Sequence, residues 1–250
     1  MKRFALALPF IMSAFTAHGA LLNLSSWQSD GDGVWTVDAD GTLATQSKNG
    51  SPTVFYSNEN MLGKTISGQM TVSGNQDDDF VGFVLGYNAG DVNSAKTDFL
   101  LIDWKQADQT HSKLGTASVG MSASLVSGGL GYNKGAWEHK ESRGVTELAR
   151  ANTLGDAGWA FDVSYDFDIT YTADLVEVFI NGSKEFSLTG EFGAGSFGFY
   201  NFSQPGAQYT QLEAQPAIIT PAAVADVNAP ATALLFGLAG AAMLYRRRQQ

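Results

Sequence analysis

Tyr165-Asp166-Phe167-Asp168-Ile169-Thr170-Tyr171-Thr172 alternates apolar and polar residues without a fault. An extended chain points successive side chains to opposite faces, so this stretch predicts a β-strand with one buried and one wet face. Its neighbours read the same way. Leu175–Ile180 and residues 184–188 flank Asn181-Gly182. Asn-Gly tolerates the positive φ angles of a type I′ turn, so the two runs predict a hairpin. Further strands are expected at 66–72, Phe80–Tyr87, Phe99–Lys105, 118–126 and Ser196–Phe202, and no stretch carries a helical stripe. Many short strands with glycine-rich turns and no repeat of fixed period point to an all-β antiparallel sandwich, not a propeller or solenoid.

The two ends read differently from this body. Lys2 and Arg3 precede an apolar run from Phe4 to Thr16, and Ala17-His18-Gly19 supplies small residues for cleavage before Ala20. Residues 1–19 are therefore expected to be a signal peptide, 20–212 the folded body and 213–228 an Ala/Pro-rich tether. Residues 231–245 carry no charge and are followed at once by Arg246, Arg247 and Arg248. Fifteen such residues are short for a membrane span, and the arginines would hold their end in the cytoplasm.

Those five basic residues at the ends belong to a total of 15, and neither end holds an acidic one, so ten basic residues face 25 acidic residues in between. Such a surface disfavours nucleic acid and anionic lipid and suits divalent cations, basic proteins or neutral glycans. The chain has no cysteine. That excludes thiol catalysis and disulfide stapling, leaving core burial or bound metal to hold an exported domain.

The densest chemical feature is Asn75-Gln76-Asp77-Asp78-Asp79, directly before the apolar run Phe80–Tyr87. Three adjacent carboxylates repel one another, and a cation such as calcium, which takes six to eight oxygen ligands, would relieve the repulsion. The alternative is a solvated acidic turn. Asp30-Gly31-Asp32-Gly33 and Asp38-Ala39-Asp40-Gly41 fail as EF-hand loops, because the twelfth position from Asp30 is Gly41, and they read as turns around a strand at 34–37. Asp156 and Asp162 flank Trp159 and are candidates to complete a metal site, or else belong to a solvated loop.

Several segments in order carry a family resemblance. Asp77-Asp78-Asp79-Phe80-Val81-Gly82-Phe83 is similar to the acidic triplet and aromatic–Gly strand of the thrombospondin C-terminal domain. Phe99–Lys105 with Gln106 resembles its next strand, ending in Trp-Lys-Gln, and Asp156-Ala157-Gly158-Trp159 with Asp162 resembles its Gly-Trp region. Gly195-Ser196-Phe197-Gly198-Phe199-Tyr200-Asn201-Phe202-Ser203-Gln204 resembles its closing strand. The resemblance covers roughly 66–213. It implies a concanavalin- or L-type lectin-like β-sandwich (jelly roll) that binds calcium through Asn75, Asp77, Asp78, Asp79, Asp156 and Asp162. It also implies service in adhesion, with an extracellular protein or polysaccharide as partner. Asn228-Ala229-Pro230, the apolar run and the arginines resemble the PEP-CTERM sorting tail of Gram-negative bacteria. Residues 229–250 would then be a short hydrophobic helix handled by an exosortase-type enzyme or, left uncleaved, a single-span membrane anchor, with the body displayed on the cell surface, outer envelope or matrix.

Catalytic patterns are sparse. His111 and His139 are isolated, and neither a Gly-x-Ser-x-Gly elbow nor a phosphate-binding loop occurs. Asp166 and Asp168 have the spacing of a glycosidase pair but lie on a strand whose polar face reads as wet, and Glu138 and Glu141 flank His139 in an expected loop. The sequence is read as a non-catalytic recognition module, the rivals being a secreted lectin or hydrolase and a structural matrix component.

Overall fold

The computed structural model describes residues 19–75 and 77–218. The basic start and apolar run at 1–18, the tether from 219 and the tail at 229–250 lie outside the described residues.

The alternating stretch forms β13 (Ser164–Tyr171), in which Phe167, Ile169 and Tyr171 are buried while Ser164, Asp166 and Asp168 face solvent. It belongs to an antiparallel eight-stranded sheet. Along that sheet the order is β15 (Ser183–Thr189), β14 (Leu175–Ile180), β13, β6 (Lys64–Val72), β17 (Ala207–Pro216), β4 (Leu43–Gln46) and β3 (Trp35–Val37), with β1 (Ala20–Leu21) added against β17. The opposing seven-stranded sheet is ordered β12 (Val145–Arg150), β11 (Gly120–Val126), β8 (Phe99–Lys105), β7 (Phe80–Tyr87), β16 (Ser196–Phe202), β5 (Thr53–Tyr56) and β2 (Gln28–Gly31). A small hairpin, β9 (Gln109–His111) and β10 (Gly115–Ala117), stands apart from both. Helix among the described residues is confined to three 3-10 turns of three residues each.

Asn181 (φ 49°) and Gly182 (φ 77°) both take the left-handed conformation, and β14 and β15 pair across them as the hairpin expected. β17 runs on to Pro216, so residues 213–216 are strand and not tether. Proline is tolerated there because the strand ends at it and no further ladder donor is required.

Between the sheets lies an aromatic-rich core. The Phe83 and Phe167 rings meet at 4.6 Å, and Phe199 stacks on Tyr209 at 3.9 Å. Each such ring removed from water contributes about 1.5–3 kcal/mol.

A second core lies on the other side of the seven-stranded sheet. β7 is apolar at both parities, which marks a strand covered on both faces, and all eight of its residues are buried. Val81, Phe83 and Leu85 point between the sheets, while Phe80, Val84 and Tyr87 join Val92, Leu114, Leu130 and Trp137 in the outer cluster. The β9–β10 hairpin and the segment from 127 to 144 thus form a partial third layer. That layer carries one wall of the site described next.

Candidate functional site

Asp77, Asp78 and Asp79 lie where the chain enters β7, beside the far ends of β8 and β16. Asp77 sits at φ 72° and its Oδ1 accepts the Asp78 N–H at 3.1 Å, which turns the chain into the strand. The Asp79 N–H donates to Gln204 Oε1 at 2.9 Å, fixing the triplet to the chain leaving β16. The three carboxylates offer oxygens within 4.8 Å of one another. Asp79 is 3% exposed.

A cation already sits among them. The fully buried Lys105 Nζ donates to the Asp78 carbonyl at 2.6 Å, to Asp78 Oδ1 at 2.8 Å and to Gln109 Oε1 at 3.0 Å. It also lies 3.0 Å from Asp79 Oδ1, near enough for an ion pair but outside hydrogen-bond geometry, so that oxygen accepts no hydrogen bond. The Trp137 and Phe80 ring centres lie 5.5 and 5.8 Å from the ammonium. Rings at that range attract a cation by their quadrupoles. Burial pushes the Asp79 carboxyl up, Lys105 pulls it back and Asp77 raises it again, leaving it at about 6. By formal charge one ammonium faces three carboxylates, which leaves −2.

Asp77 and Asp79 form one edge of a cleft of about 400 Å³. On the acidic side, Asn49 donates to Asp77 Oδ2 and its own Oδ1 accepts from Ser203 Oγ at 2.6 Å. Asp32 stands beside them, held by the Ser51 N–H at 3.3 Å and by Lys48. The other side is aromatic. Tyr132 is 41% exposed, Trp137 stacks edge-on to Phe202 at 5.4 Å, and the Trp137 indole donates to the Gly115 carbonyl at 3.1 Å. Carboxylates and an amide thus face the exposed Tyr132 across a concave space, with the buried Trp137 and Phe202 beneath it.

The expected metal set is only partly brought together. Asp156 and Asp162 do not join the carboxylate cluster among the described residues. Asp156 is exposed, and Asp162 Oδ1 accepts the Gly74 N–H at 3.2 Å, capping the turn that holds the exposed Asn75. The region around them supports the triplet through its backbone and rings. The Trp159 indole, buried, donates to the Asp79 carbonyl at 3.0 Å, and the Trp104 indole donates to the Ala157 carbonyl at 2.7 Å. Gly158 lies so close to the Gln106 carbonyl that a Cβ would overlap it. Asn49, Ser203 and Lys105 are site residues that sequence reading missed, and Asp32, weighed there in a calcium loop and read as a turn, joins them. Of the three, Lys105 left a signal, as a charge inside a run of buried-strand residues.

Elsewhere, a Ser-His-Asp grouping occurs without catalytic geometry. Ser122 Oγ donates to Asp103 Oδ1 at 2.8 Å, and His139 contacts Asp103 Oδ2 at 3.0 Å and Glu147 Oε2 at 2.9 Å. Ser122 is fully buried, so no substrate reaches its hydroxyl. Burial pulls the His139 imidazole down, but Asp103 and Glu147 outweigh it and push it up to about 9, so it is a buried imidazolium and not a base. Glu138 pairs with Lys140 at 3.4 Å and Arg143 at 3.3 Å, and Asp166 and Asp168 remain on the exposed face of β13.

A family model describing the thrombospondin C-terminal region matches residues 30–217. No curated protein matches the sequence. Among solved structures, the carbohydrate binding module CBM66 from Bacillus subtilis aligns with a TM-score of 0.52 at 9% identity, over 77% of this chain and 97% of that one. The exoplasmic/lumenal domain of VIP36, in a form bound to Ca2+ and Man3GlcNAc, aligns with a TM-score of 0.50 at 14% identity, over 82% and 91%. The Emp46p carbohydrate recognition domain aligns with a TM-score of 0.50 at 13% identity, over 78% and 90%. At such identities the likeness is one of fold, a lectin-like sandwich.

Proposed function

The chain belongs to the thrombospondin C-terminal region family, and on that footing we propose that it is a calcium-binding, non-catalytic recognition module displayed outside the cell. Its recognition surface is the cleft at the Asp77–Asp79 end. Its partner is an extracellular polysaccharide or protein.

The observation that carries this reading is the charge left over in the triplet. Lys105 neutralises one of three carboxylates, Asp79 Oδ1 accepts no hydrogen bond, and the remaining −2 matches one divalent ion. The donors are all hard oxygens, as calcium requires. Asp77 and Asp79 would hold the ion, with Asn49, Ser203 and Asp32 beside it on the cleft wall. Bound there, it would tie the entry of β7 to the loop at 49–51 and fix the acidic wall against the aromatic one. Of that wall's rings Tyr132 is open to solvent, at 41%, while Trp137 and Phe202 are buried, so a saccharide partner would rest on the Tyr132 ring with its hydroxyls towards the carboxylates and the amide. The lectin-like fold of CBM66, VIP36 and Emp46p supports this reading by analogy only. Export and surface attachment rest on the start and tail of the sequence.

The test is a calcium titration of the protein followed by thermal unfolding. A site present only in the folded state stabilises by about 2.7 kcal/mol when calcium reaches a hundred times its Kd. The unfolding midpoint should therefore climb with calcium, and Asp77→Asn, which tolerates the same positive φ, should remove the climb. An unchanged midpoint up to millimolar calcium rejects the metal site. A glycan array probed with and without calcium then separates a saccharide partner from a protein one.

A further inference from the structure

The edges of the two sheets are tied together near one end and part towards the other. At the tied end the buried Glu185 carboxylate of β15 accepts from Thr153 N at 2.8 Å, Thr153 Oγ1 at 2.5 Å and Leu154 N at 3.2 Å. Asn152, just past β12, donates from its N–H to the Glu185 carbonyl at 3.0 Å and from Nδ2 to the Lys184 carbonyl at 2.9 Å. Beyond these bonds a cleft of about 540 Å³ opens between β12 and the end of β15, at the opposite end of β7 from the acidic triplet. Its floor is core material: Leu85, Leu100, Tyr171 and the half-buried Leu188 and Phe192.

Two leucines stand at its mouth. Leu125 is 37% exposed and Leu148 is 50% exposed. Leu148 is there because β11 and β12 change register: Ala123 pairs with Ala149 and Ser124 with Glu147, which leaves Leu148 unpaired in a bulge. Bulges re-aim a side chain at an edge strand, and this one directs a large apolar residue to the rim. The cleft's only acidic side chains are the exposed Asp98 and Glu191, and its lining holds no Lys, Arg or His. Neither carboxylate joins an ion pair among the described residues.

We propose that this cleft binds an apolar ligand carrying a positive charge, of the alkylammonium or arylalkylammonium class. The volume falls in the range of small-molecule sites, which are apolar with few polar groups at their edges. Leu125 and Leu148 stand beside this concave apolar floor, where a bound apolar body would cover them. The sign of the charge follows from the rim. An anionic head would enter beside two unneutralised carboxylates, whereas a cationic one pairs with them while its apolar body covers Leu125 and Leu148. The site is independent of the calcium reading, since it shares no residue with the acidic cleft.

Isothermal titration calorimetry with decyltrimethylammonium, decanoate and tetramethylammonium, each below its micelle concentration, tests the proposal. Decyltrimethylammonium should bind saturably at one site, decanoate at least about tenfold more weakly, and tetramethylammonium not detectably, a tenfold difference being about 1.4 kcal/mol. Leu148→Arg places a cation at the mouth on a half-exposed position that the fold tolerates, and should weaken decyltrimethylammonium by about tenfold or more. Thermal unfolding of the variant alone checks that it is folded. Equal binding of decanoate, absence of saturable binding, or undiminished binding by the folded variant would each overturn the assignment, the last by showing mere adsorption to an acidic surface.

Discussion

At the end of β8, Lys105 places a fully buried ammonium, and among the described residues its polar partners belong to the acidic entry of β7 or to Gln109. A buried charge with good partners adds little net stability, but removing one partner leaves the other uncompensated at about 3–5 kcal/mol. Lys105→Met keeps the side chain's length and apolar stem while deleting the charge. It is expected to lower the unfolding free energy by about 3–5 kcal/mol at neutral pH in the presence of a chelator, measured by urea denaturation. A loss below about 1 kcal/mol, the worth of an exposed pair, would show that Asp78 and Asp79 are satisfied by solvent instead. The sequence offered this residue a reading that went unused. Lys and Asp are almost never fully buried unless paired, so Asp103 and Lys105 inside Phe99–Lys105 announce a buried ion network. Asn49 and Ser203 announce nothing, and Asp32 reads only as an Asp-Gly turn, because their meeting depends on three connections closing at one end of the sandwich.

Among the elements, legibility followed the strength of the period. β13, β7, β8, β14 and β16 are long or cleanly patterned, and the expected strands match them to within a residue. β12 was not anticipated, because its bulge breaks the alternation in Val-Thr-Glu-Leu-Ala-Arg. The end of β17 has the alanine and proline of a linker composition, yet Ala214 and Pro216 pair with Ile66 and Lys64 of β6. The strap from 151 to 162 has no regular structure to read, yet it holds the site. Gly158 presses on the Gln106 carbonyl, directly after Lys105, and Trp159 bonds to the Asp79 carbonyl. Gly158→Ala forces a Cβ into that carbonyl and should cost about 1–3 kcal/mol, as overpacking does. Gly193→Ala, where a Cβ meets nothing within 4 Å, is the control and should leave the urea midpoint in place. Equal behaviour of the two variants would mean that the strap yields and does not clamp the triplet.

At the scale of the whole molecule, the segment from 127 to 144 turns a two-layer sandwich into a partly three-layered one, and its attachment is electrostatic as well as apolar. His139, held at φ 48°, reaches from that segment to Asp103 on β8 and Glu147 on β12, with Ser122 on β11 beside it at 3.3 Å and the Phe80 ring at 6.0 Å. Glu147 is in turn paired with Arg150 at 3.1 Å. Burial alone would discharge the imidazole, and the two carboxylates reverse that, raising it from about 6.5 in the unfolded chain to about 9 in the folded one. The folded state therefore binds this proton more tightly. Its contribution is complete below about pH 6.5 and is lost as pH rises through about 9, on the order of 3 kcal/mol over that window. Asp79 works in the same direction at lower pH, because a carboxyl raised to about 6 favours the folded state most when protonated. Urea unfolding should thus show stability falling between pH 6.5 and 9, while His139→Asn, which accepts the positive φ but carries no proton, should be less stable at pH 6.5 and nearly flat across that window. Parallel curves for the two proteins would mean that the imidazole is neutral in the folded state and that apolar contacts alone hold the third layer.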